Sequence, residues 1–424
     1  MRLIERLLQW FSIPLIICSV VCSPFTCAYF LSADHKIESP AVIVCIVFFQ
    51  LCGVALGIIF LTKTNAFIAF FKKHFKDIIL AGVVYALCEI VILSLGIFQP
   101  HPTPERIRFF RDFTVPQEEL GYTMRPGLRN FEVTWLEDGV RGVYDSDEYG
   151  FRNVGISYAT SSLFFIGDSF TQGSWVSRNE AYFAQVGKGF STQAISYGIG
   201  GYGITQYDRV AKNILPKNAI KKTVVISFFA NDLEKPYPPE KMKDLYKIEM
   251  LSQIKEPTFA DRFHFKYSVL GQVKKVLFLP RQKAVLPNGL TLFTNRGTSI
   301  SFKDSDYEVF EETLRSLFAG LKARSDIKNV LVILIPSREA VYQEEYEQVF
   351  SDTDYLQNEA YGYKMIEDVG QEYHIPVLNL TEFFRKKKEE KLYFDVDPHW
   401  NAEGHTYAAN VIINWLKSLK ISIP

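Results

Sequence analysis

The sequence predicts an α/β protein in which N-terminal transmembrane helices precede a three-layer domain built on a parallel five-stranded sheet. Three observations predict it. Apolar residues crowd positions 1–98 of a 424-residue chain, which is longer than one core usually serves. From residue 162 onward, short runs rich in Val, Ile and Phe alternate with longer amphipathic stretches, the pattern of strands buried on both faces between helices. Between these regions lies turn-rich sequence with short alternating runs.

The membrane segment comes first. Residues 7–33 and 39–62 hold no charged side chain, and 78–98 hold only Glu89. Each is long enough to span a bilayer as a helix, which needs about 20 apolar residues. A cleaved signal peptide would account for the first, but the other two would still hold the chain in the membrane. Arg2 and Arg6 precede the first span and Lys63, Lys72, Lys73 and Lys76 crowd the second connection, whereas the first connection offers only Lys36. The positive-inside rule therefore predicts a cytoplasmic N-terminus and an exported chain beyond Phe98, with Arg106, Arg108 and Arg111 arguing mildly against it. All six cysteines (Cys18, Cys22, Cys27, Cys45, Cys52 and Cys88) lie in the apolar spans, so the exported part is thiol-free, as suits an oxidising exterior. Glu89, alone in an apolar helix, is read as either a contact to a partner subunit or a snorkelling group.

The proline-rich "QPHPTPER" that follows reads as a stiff linker. Runs such as "NFEVTWL" and "VRGVYDS" predict a small β-rich annex that ends at "DEYGFRN". Next come the apolar runs "SLFFIG", "AISYG", "TVVISFFA", "NVLVILIP" and "IPVLNL", with helix-like segments such as 307–323 and 355–373 between them. They predict a mostly parallel five-stranded sheet in flavodoxin-like order. "KPYPPEK" and "LPNGLTLFTNRG" break the alternation and mark an insertion holding a helix or two and a hairpin. The predicted organisation is thus a three-helix transmembrane segment over 1–98, linker and annex over 99–161, and the α/β domain over 162–424 with an insertion at 233–306.

A formal net charge of zero and a pI near 7.0 supply no basic field, which argues against nucleic acid as a partner. The run "RKKKEEKLYF" mixes both signs and reads as a solvated helix end. In an open parallel sheet, ligands bind at the carboxyl ends of the strands. Those ends read "GDS", "SYGIGGYG", "FFANDLE" and, after the last strand, "DVDPHWNAEGH". Each alone has a structural explanation as a cap or turn. Together they place a hydroxyl, an imidazole, a carboxylate and an amide at one rim, the set that acyl transfer through a serine requires. His405 opens the last helix and reads as a capping or packing residue; His374 reads as the solvent-facing start of a strand.

"GDSFT", a glycine after the second strand, "AND" and a late Asp/His pair resemble blocks I, II, III and V of the SGNH/GDSL hydrolase superfamily over residues 162–424. The resemblance implies Ser169 as nucleophile, Gly201 as the block II glycine, Asn231 as the block III asparagine and His399 as base. "YGFRN" and the "HWNAEGH" tail look like those of membrane-linked, exported bacterial members, which implies an inner-membrane protein with its catalytic domain in the periplasm or outside the cell. Three positions depart from the pattern. Ser196 stands where the block II asparagine is usual, Ala230 replaces the glycine before Asn231, and Val396 occupies the position three before His399 where the aspartate is commonest. Asp397, two before the histidine, is the favoured carboxylate, because side chains at i and i+2 of an extended segment share a face; Asp395 would need a turn.

By this resemblance His399 takes the Ser169 proton, Asp397 orients the ring, and the Ser169 and Gly201 N–H groups with the Asn231 amide face the oxyanion. No metal or cofactor is called for. The G-x-S-x-G elbow of α/β-hydrolases is absent. The expected activity is a membrane-anchored serine esterase or deacetylase acting on a carbohydrate or small acyl ester. A second reading is an O-acyltransferase that modifies an exopolysaccharide or cell-envelope glycan with a membrane protein partner as donor; the two-residue Asp/His spacing resembles exopolysaccharide O-acetyltransferases of the superfamily. A third, a binding-only component of a membrane complex, has no need of the whole set of site residues.

Overall fold

The structure, a computed structural model, describes residues 62–95, 107–135, 140–233, 241–251, 283–293, 304–350 and 353–421, with isolated positions among the rest. The described residues divide into two compact units, one containing the helix Thr64–Leu95 and the other the main sheet.

Of the three expected transmembrane helices, only the third falls mainly among the described residues. Among the described residues no helix is long and apolar enough to cross a membrane. The first predicted span, 7–33, and most of the second, 39–62, lie outside the described residues. The third falls in the helix Thr64–Leu95, where Lys72, Lys73, Lys76 and Asp77 confine the apolar part to the C-terminal half. That half leaves Leu80, Val83, Val84, Leu87 and Val91 exposed. Glu89 accepts a hydrogen bond from Tyr85 one turn earlier in the same helix, at 2.5 Å.

In the second unit, β1 (Thr114–Gln117) pairs antiparallel with β2 (Gly121–Met124), and β3 (Phe131–Trp135) with β4 (Val140–Tyr144). These two hairpins are the annex. Phe113, Tyr122, Val133 and Tyr144 share one apolar core with the main sheet, so the annex does not bury a core of its own.

The main sheet contains β5 (Leu163–Gly167), β6 (Ala194–Gly198), β7 (Lys222–Phe228), β10 (Ile327–Leu334) and β11 (Val377–Asn379) in the order β11-β10-β7-β5-β6. Every neighbouring pair is parallel. Counted by appearance in the chain this is the 2-1-3-4-5 order of flavodoxin-like sheets. All residues of β5, β6 and β7 are buried, which is why the sequence shows continuous apolar runs rather than alternation.

Side chains nevertheless alternate between two helix layers. Phe164, Ile166, Val224 and Ile226 join the core that includes Phe310, Leu314 and Phe318 of the helix Asp304–Lys322. Phe165 turns the other way, its ring against Tyr182 and Phe183 of the helix Tyr182–Gly189. That helix contacts Ala402–Ser418, and Asp304–Lys322 contacts Asp354–Glu372. The insertion contributes the short helix Met242–Leu245 and the hairpin β8 (Lys283–Val285) and β9 (Thr291–Phe293). His374 is exposed as expected but lies in a left-handed turn before β11, with φ 52°, rather than in a strand.

Candidate active site

The site is built on the carboxyl ends of β5, β7 and their neighbours. β5 ends at Gly167, and Asp168 caps the four-residue helix Ser169–Gln172 by accepting from the Phe170 N–H at 2.9 Å. Gly198, at the end of β6, allows this helix to press against the neighbouring strand. A Cβ there would stand 2.3 Å from the Gln172 nitrogen and 2.4 Å from the Thr171 carbonyl carbon. Beyond the helix, the buried Arg152 of "YGFRN" donates to the carbonyls of Gln172, Gly173 and Val176 at 3.2, 2.7 and 3.0 Å. The side-chain amide of its neighbour Asn153 binds the β6 backbone, Nδ2 donating to the Ser196 carbonyl and Oδ1 accepting from the Ser196 N–H, each at 2.9 Å. Arg152 thus holds the chain just after the Ser169 helix, and Asn153 holds the strand beside it.

Where the family commonly has asparagine, Ser196 is buried, and its hydroxyl donates to the Thr171 carbonyl at 2.8 Å. Gly201 is exposed with φ 79°, a left-handed conformation that glycine adopts without strain. A Cβ on Gly201 would meet the Tyr122 hydroxyl at 2.7 Å, and that hydroxyl donates to the Gly200 carbonyl at 3.1 Å. Gly200 adjoins the serine: a Cβ on it would lie 3.6 Å from Ser169 Cβ. After β7, Asn231 sits half-buried in the turn Ala230–Leu233, its Oδ1 buried and without a partner among the described residues. The next residue braces this turn, Asp232 accepting from the Phe229 N–H and the Tyr207 hydroxyl, each at 2.8 Å.

The late segment delivers the imidazole. His399 Nε2 lies 2.7 Å from Ser169 Oγ, and Nδ1 lies 2.5 Å from Asp397 Oδ1. With Nδ1 protonated toward the carboxylate, Nε2 is free to accept the serine proton. The Phe170 ring packs 4.9 Å from the His399 ring and 5.0 Å from Trp400. Ser169 is buried, with 8% of its surface exposed.

The structure brings Asp397 to His399 by a route other than the extended geometry expected. The segment is bent, and Asp397 Oδ1 also accepts from the His399 backbone N–H at 2.9 Å. This is the local bond by which an aspartate caps its own backbone two residues on, and it carries the carboxylate to the ring. Asp395 turns away into an ion pair with Lys391, at 2.6 Å.

Burial perturbs two titratable groups, Asp168 and His405. The Asp168 carboxyl is pushed up to about 6 by burial, against the opposing pull of His399 and of the hydrogen bonds it accepts. Its Oδ2 lies 3.2 Å from Ser169 Oγ. His405 is fully buried, accepts from the Tyr182 N–H at 3.3 Å, and is pushed down to about 3, chiefly by burial. It is a packing residue.

Arg338 went unmarked in the sequence. It follows β10, is fully buried, and its guanidinium donates to the carbonyls of Phe394, Asp395, Val396 and Asp397 at 3.1 to 3.4 Å. The available signal was positional: "PSREA" is one more strand end on the same rim.

Comparison with known proteins agrees with the motifs. The GDSL-like Lipase/Acylhydrolase family matches residues 165–407, over half of the chain. No curated protein matches the sequence. Solved structures similar to the chain include LAE5, an alpha/beta hydrolase enzyme from the metagenome of Lake Arreo, at 16% identity, covering 62% of this chain and 97% of that one with a TM-score of 0.35. A member of the lipolytic protein G-D-S-L family from Veillonella parvula is 13% identical, covering 61% and 97% with a TM-score of 0.33. A catalytic mutant of Axe2, an acetylxylan esterase from Geobacillus stearothermophilus, is 13% identical, covering 60% and 94% with a TM-score of 0.34.

Proposed function

The chain belongs to the GDSL-like lipase/acylhydrolase family, and on that premise we propose that it is a membrane-anchored serine ester hydrolase that removes acyl groups, acetyl foremost, from a carbohydrate or small ester. One observation carries the reading: the continuous hydrogen-bond line from Asp397 through His399 to Ser169. Ser169 Oγ attacks the ester carbonyl carbon as His399 Nε2 takes its proton. The imidazolium so formed is stabilised by Asp397. Collapse of the tetrahedral intermediate breaks the bond to the alkoxy oxygen, which leaves as alcohol with the proton from Nε2. Water, deprotonated in turn by His399, then attacks the acyl-enzyme and releases the acid. The Ser169 and Gly201 N–H groups and the Asn231 amide are the oxyanion donors in this reading, and removing one such donor typically costs ~10²–10³ in kcat.

Placement of the catalytic unit outside the cytoplasm belongs to the same proposal. It is supported by the apolar sequence of residues 7–98, the lysines around Lys72 and the exposed Leu80, Val83, Leu87 and Val91 of the helix Thr64–Leu95.

A second reading, transfer of the acyl group to a glycan hydroxyl in place of water, is favoured by the two-residue spacing of Asp397 and His399. One assay tests both. The full chain in detergent is given p-nitrophenyl acetate with and without an oligosaccharide acceptor, and product masses are recorded. Hydrolysis that Ser169→Ala abolishes supports the esterase; acetylated oligosaccharide as main product replaces it with the transferase; no turnover of simple or sugar acetates overturns both.

A further inference from the structure

We propose that Arg338 is a positioning residue for the reaction: its buried guanidinium fixes the backbone that aims Asp397 at His399. The inference rests on the reading of Ser169, His399 and Asp397 as a triad.

Residues 394–399 lie in neither helix nor strand. Their four leading carbonyls nevertheless converge on one point. Arg338 Nη1 donates to the carbonyls of Phe394, Asp395 and Asp397 at 3.1, 3.4 and 3.3 Å, and Nη2 to that of Val396 at 3.2 Å. Carbonyl oxygens are the negative ends of peptide dipoles, so four pointing inward repel one another unless a cation lies between them. A guanidinium suits this place because its planar fork offers several donors in fixed directions, whereas an ammonium is a compact point charge. The charge is also taken out of water, a heavy penalty unless every donor finds an acceptor. Here the carbonyls supply acceptors for Nη1 and Nη2, the buried Nε has none among the described residues, and Glu339 Oε1 stands 3.7 Å from Nη2.

Arg338 is itself held rigidly. It begins the helix Arg338–Val341, whose cap Ser337 accepts from the Ala340 N–H at 3.0 Å and stands three residues beyond the end of β10. The Ser337 N–H in turn donates to the buried Glu359, at 3.0 Å. A strand of the main sheet therefore sets the place of the guanidinium, and the guanidinium sets the place of the loop. From the other side, the Thr291 N–H of β9 donates to the Asp395 carbonyl at 2.7 Å. The hydrogen bonds that Arg338 gives to this loop all go to backbone carbonyls. Arg338 holds the Asp397 carbonyl, and the carboxylate of that same residue holds Nδ1. Misplacing a reacting group by about 1 Å can cost ~10² in rate, so loosening this loop should lower kcat while leaving substrate binding alone.

The test is Arg338→Lys in the full chain, which keeps a buried cation and removes the fork. The expected result is a kcat lower by about 10–100-fold, KM within about twofold of the parent, and labelling by a fluorophosphonate slowed by the same factor as kcat. In an Asp397→Asn background the same change should have little further effect, because the two substitutions disable one arrangement. A purely structural role would predict a lower melting temperature with unchanged kcat per labelled serine. A folded Arg338→Lys enzyme with parental kcat and labelling rate overturns the proposal. If Arg338→Lys fails to fold, Arg338→Gln is measured in the same way, and failure of both to fold assigns the residue to core stability and overturns it too. Ser169→Ala, run alongside, separates the two readings. If it retains activity, the triad itself is wrong; if it is inactive while Arg338→Lys behaves as the parent, only the positioning role is lost.

Discussion

His399 Nε2 reaches Ser169 Oγ at 2.7 Å although the two residues stand 230 positions apart in the chain. Ser169 follows the first strand of the sheet, and His399 follows the last. A parallel sheet brings all its strand ends to one rim, so groups from both ends of the domain meet there. Ser169→Ala and His399→Ala should therefore each abolish labelling by a fluorophosphonate. Both are small excisions at the rim, so melting temperatures should stay close to the parent's. Undiminished labelling of Ser169→Ala would return the serine to the role of a turn former.

Asp397→Asn should lower kcat steeply, toward the ~10⁴ that the corresponding change costs a well-studied serine protease, because asparagine keeps the shape and favours the wrong tautomer. Asp395→Asn should be close to neutral, since it removes only an exposed ion pair with Lys391. The comparison is a pair of kcat values on one ester. Greater damage from Asp395→Asn would reverse the assignment of the carboxylate.

Gly198→Ala should be costly in both stability and rate. The added methyl would meet the backbone of Thr171 and Gln172 at 2.4 and 2.3 Å, and backbone cannot swing aside as a side chain can. Overpacking of this kind costs about 1–3 kcal/mol, and relief would push the Ser169 helix off β6. Thermal melts and kcat should fall together; a parental value of either would show that the strand gives way instead.

Burial of His405 makes stability depend on acid. Its folded value of about 3 lies below the ordinary 6.5, so the neutral form is favoured in the fold. The stability this contributes is present above the ordinary value and is lost as pH falls from about 6.5 toward 3. Urea midpoints of the parent and His405→Gln, taken through that window, should diverge, with the parent losing more on acidification. A constant difference between them would mean that the histidine is not neutral in the fold.

Export of the catalytic unit is tested by fusions at the C-terminus. Alkaline phosphatase should be active there and GFP dark. The reverse pattern would put the site in the cytoplasm and remove the case for an envelope substrate.

Much of the fold was written in local pattern. Each of the five apolar runs from "SLFFIG" to "IPVLNL" corresponds to a strand, because strands covered on both faces are apolar along most of their length. Ser169 was legible for a related reason: a polar Gly-Asp-Ser ending such a run must lie at the rim. The histidine and its carboxylate stood out in "DPHW", but the expected cause was wrong. Their contact comes from a bend closed by Asp397 on its own backbone, which side-chain alternation along an extended segment does not describe.

The two arginines mark where local pattern ends. Arg152 and Arg338 read in sequence like any surface cation, yet both are buried, each against several carbonyls. The acceptors of Arg338 begin 56 residues further along the chain, and those of Arg152 lie nine residues before it and from 20 residues after it. The strands, the rim and the polar side chains that gather there were legible in local pattern, since these follow from periodicity and residue chemistry within a few positions. What holds them in line came only with the fold, because a charge can be buried only where the folded chain gathers enough oxygens around it, and that gathering leaves no mark on the residues beside it.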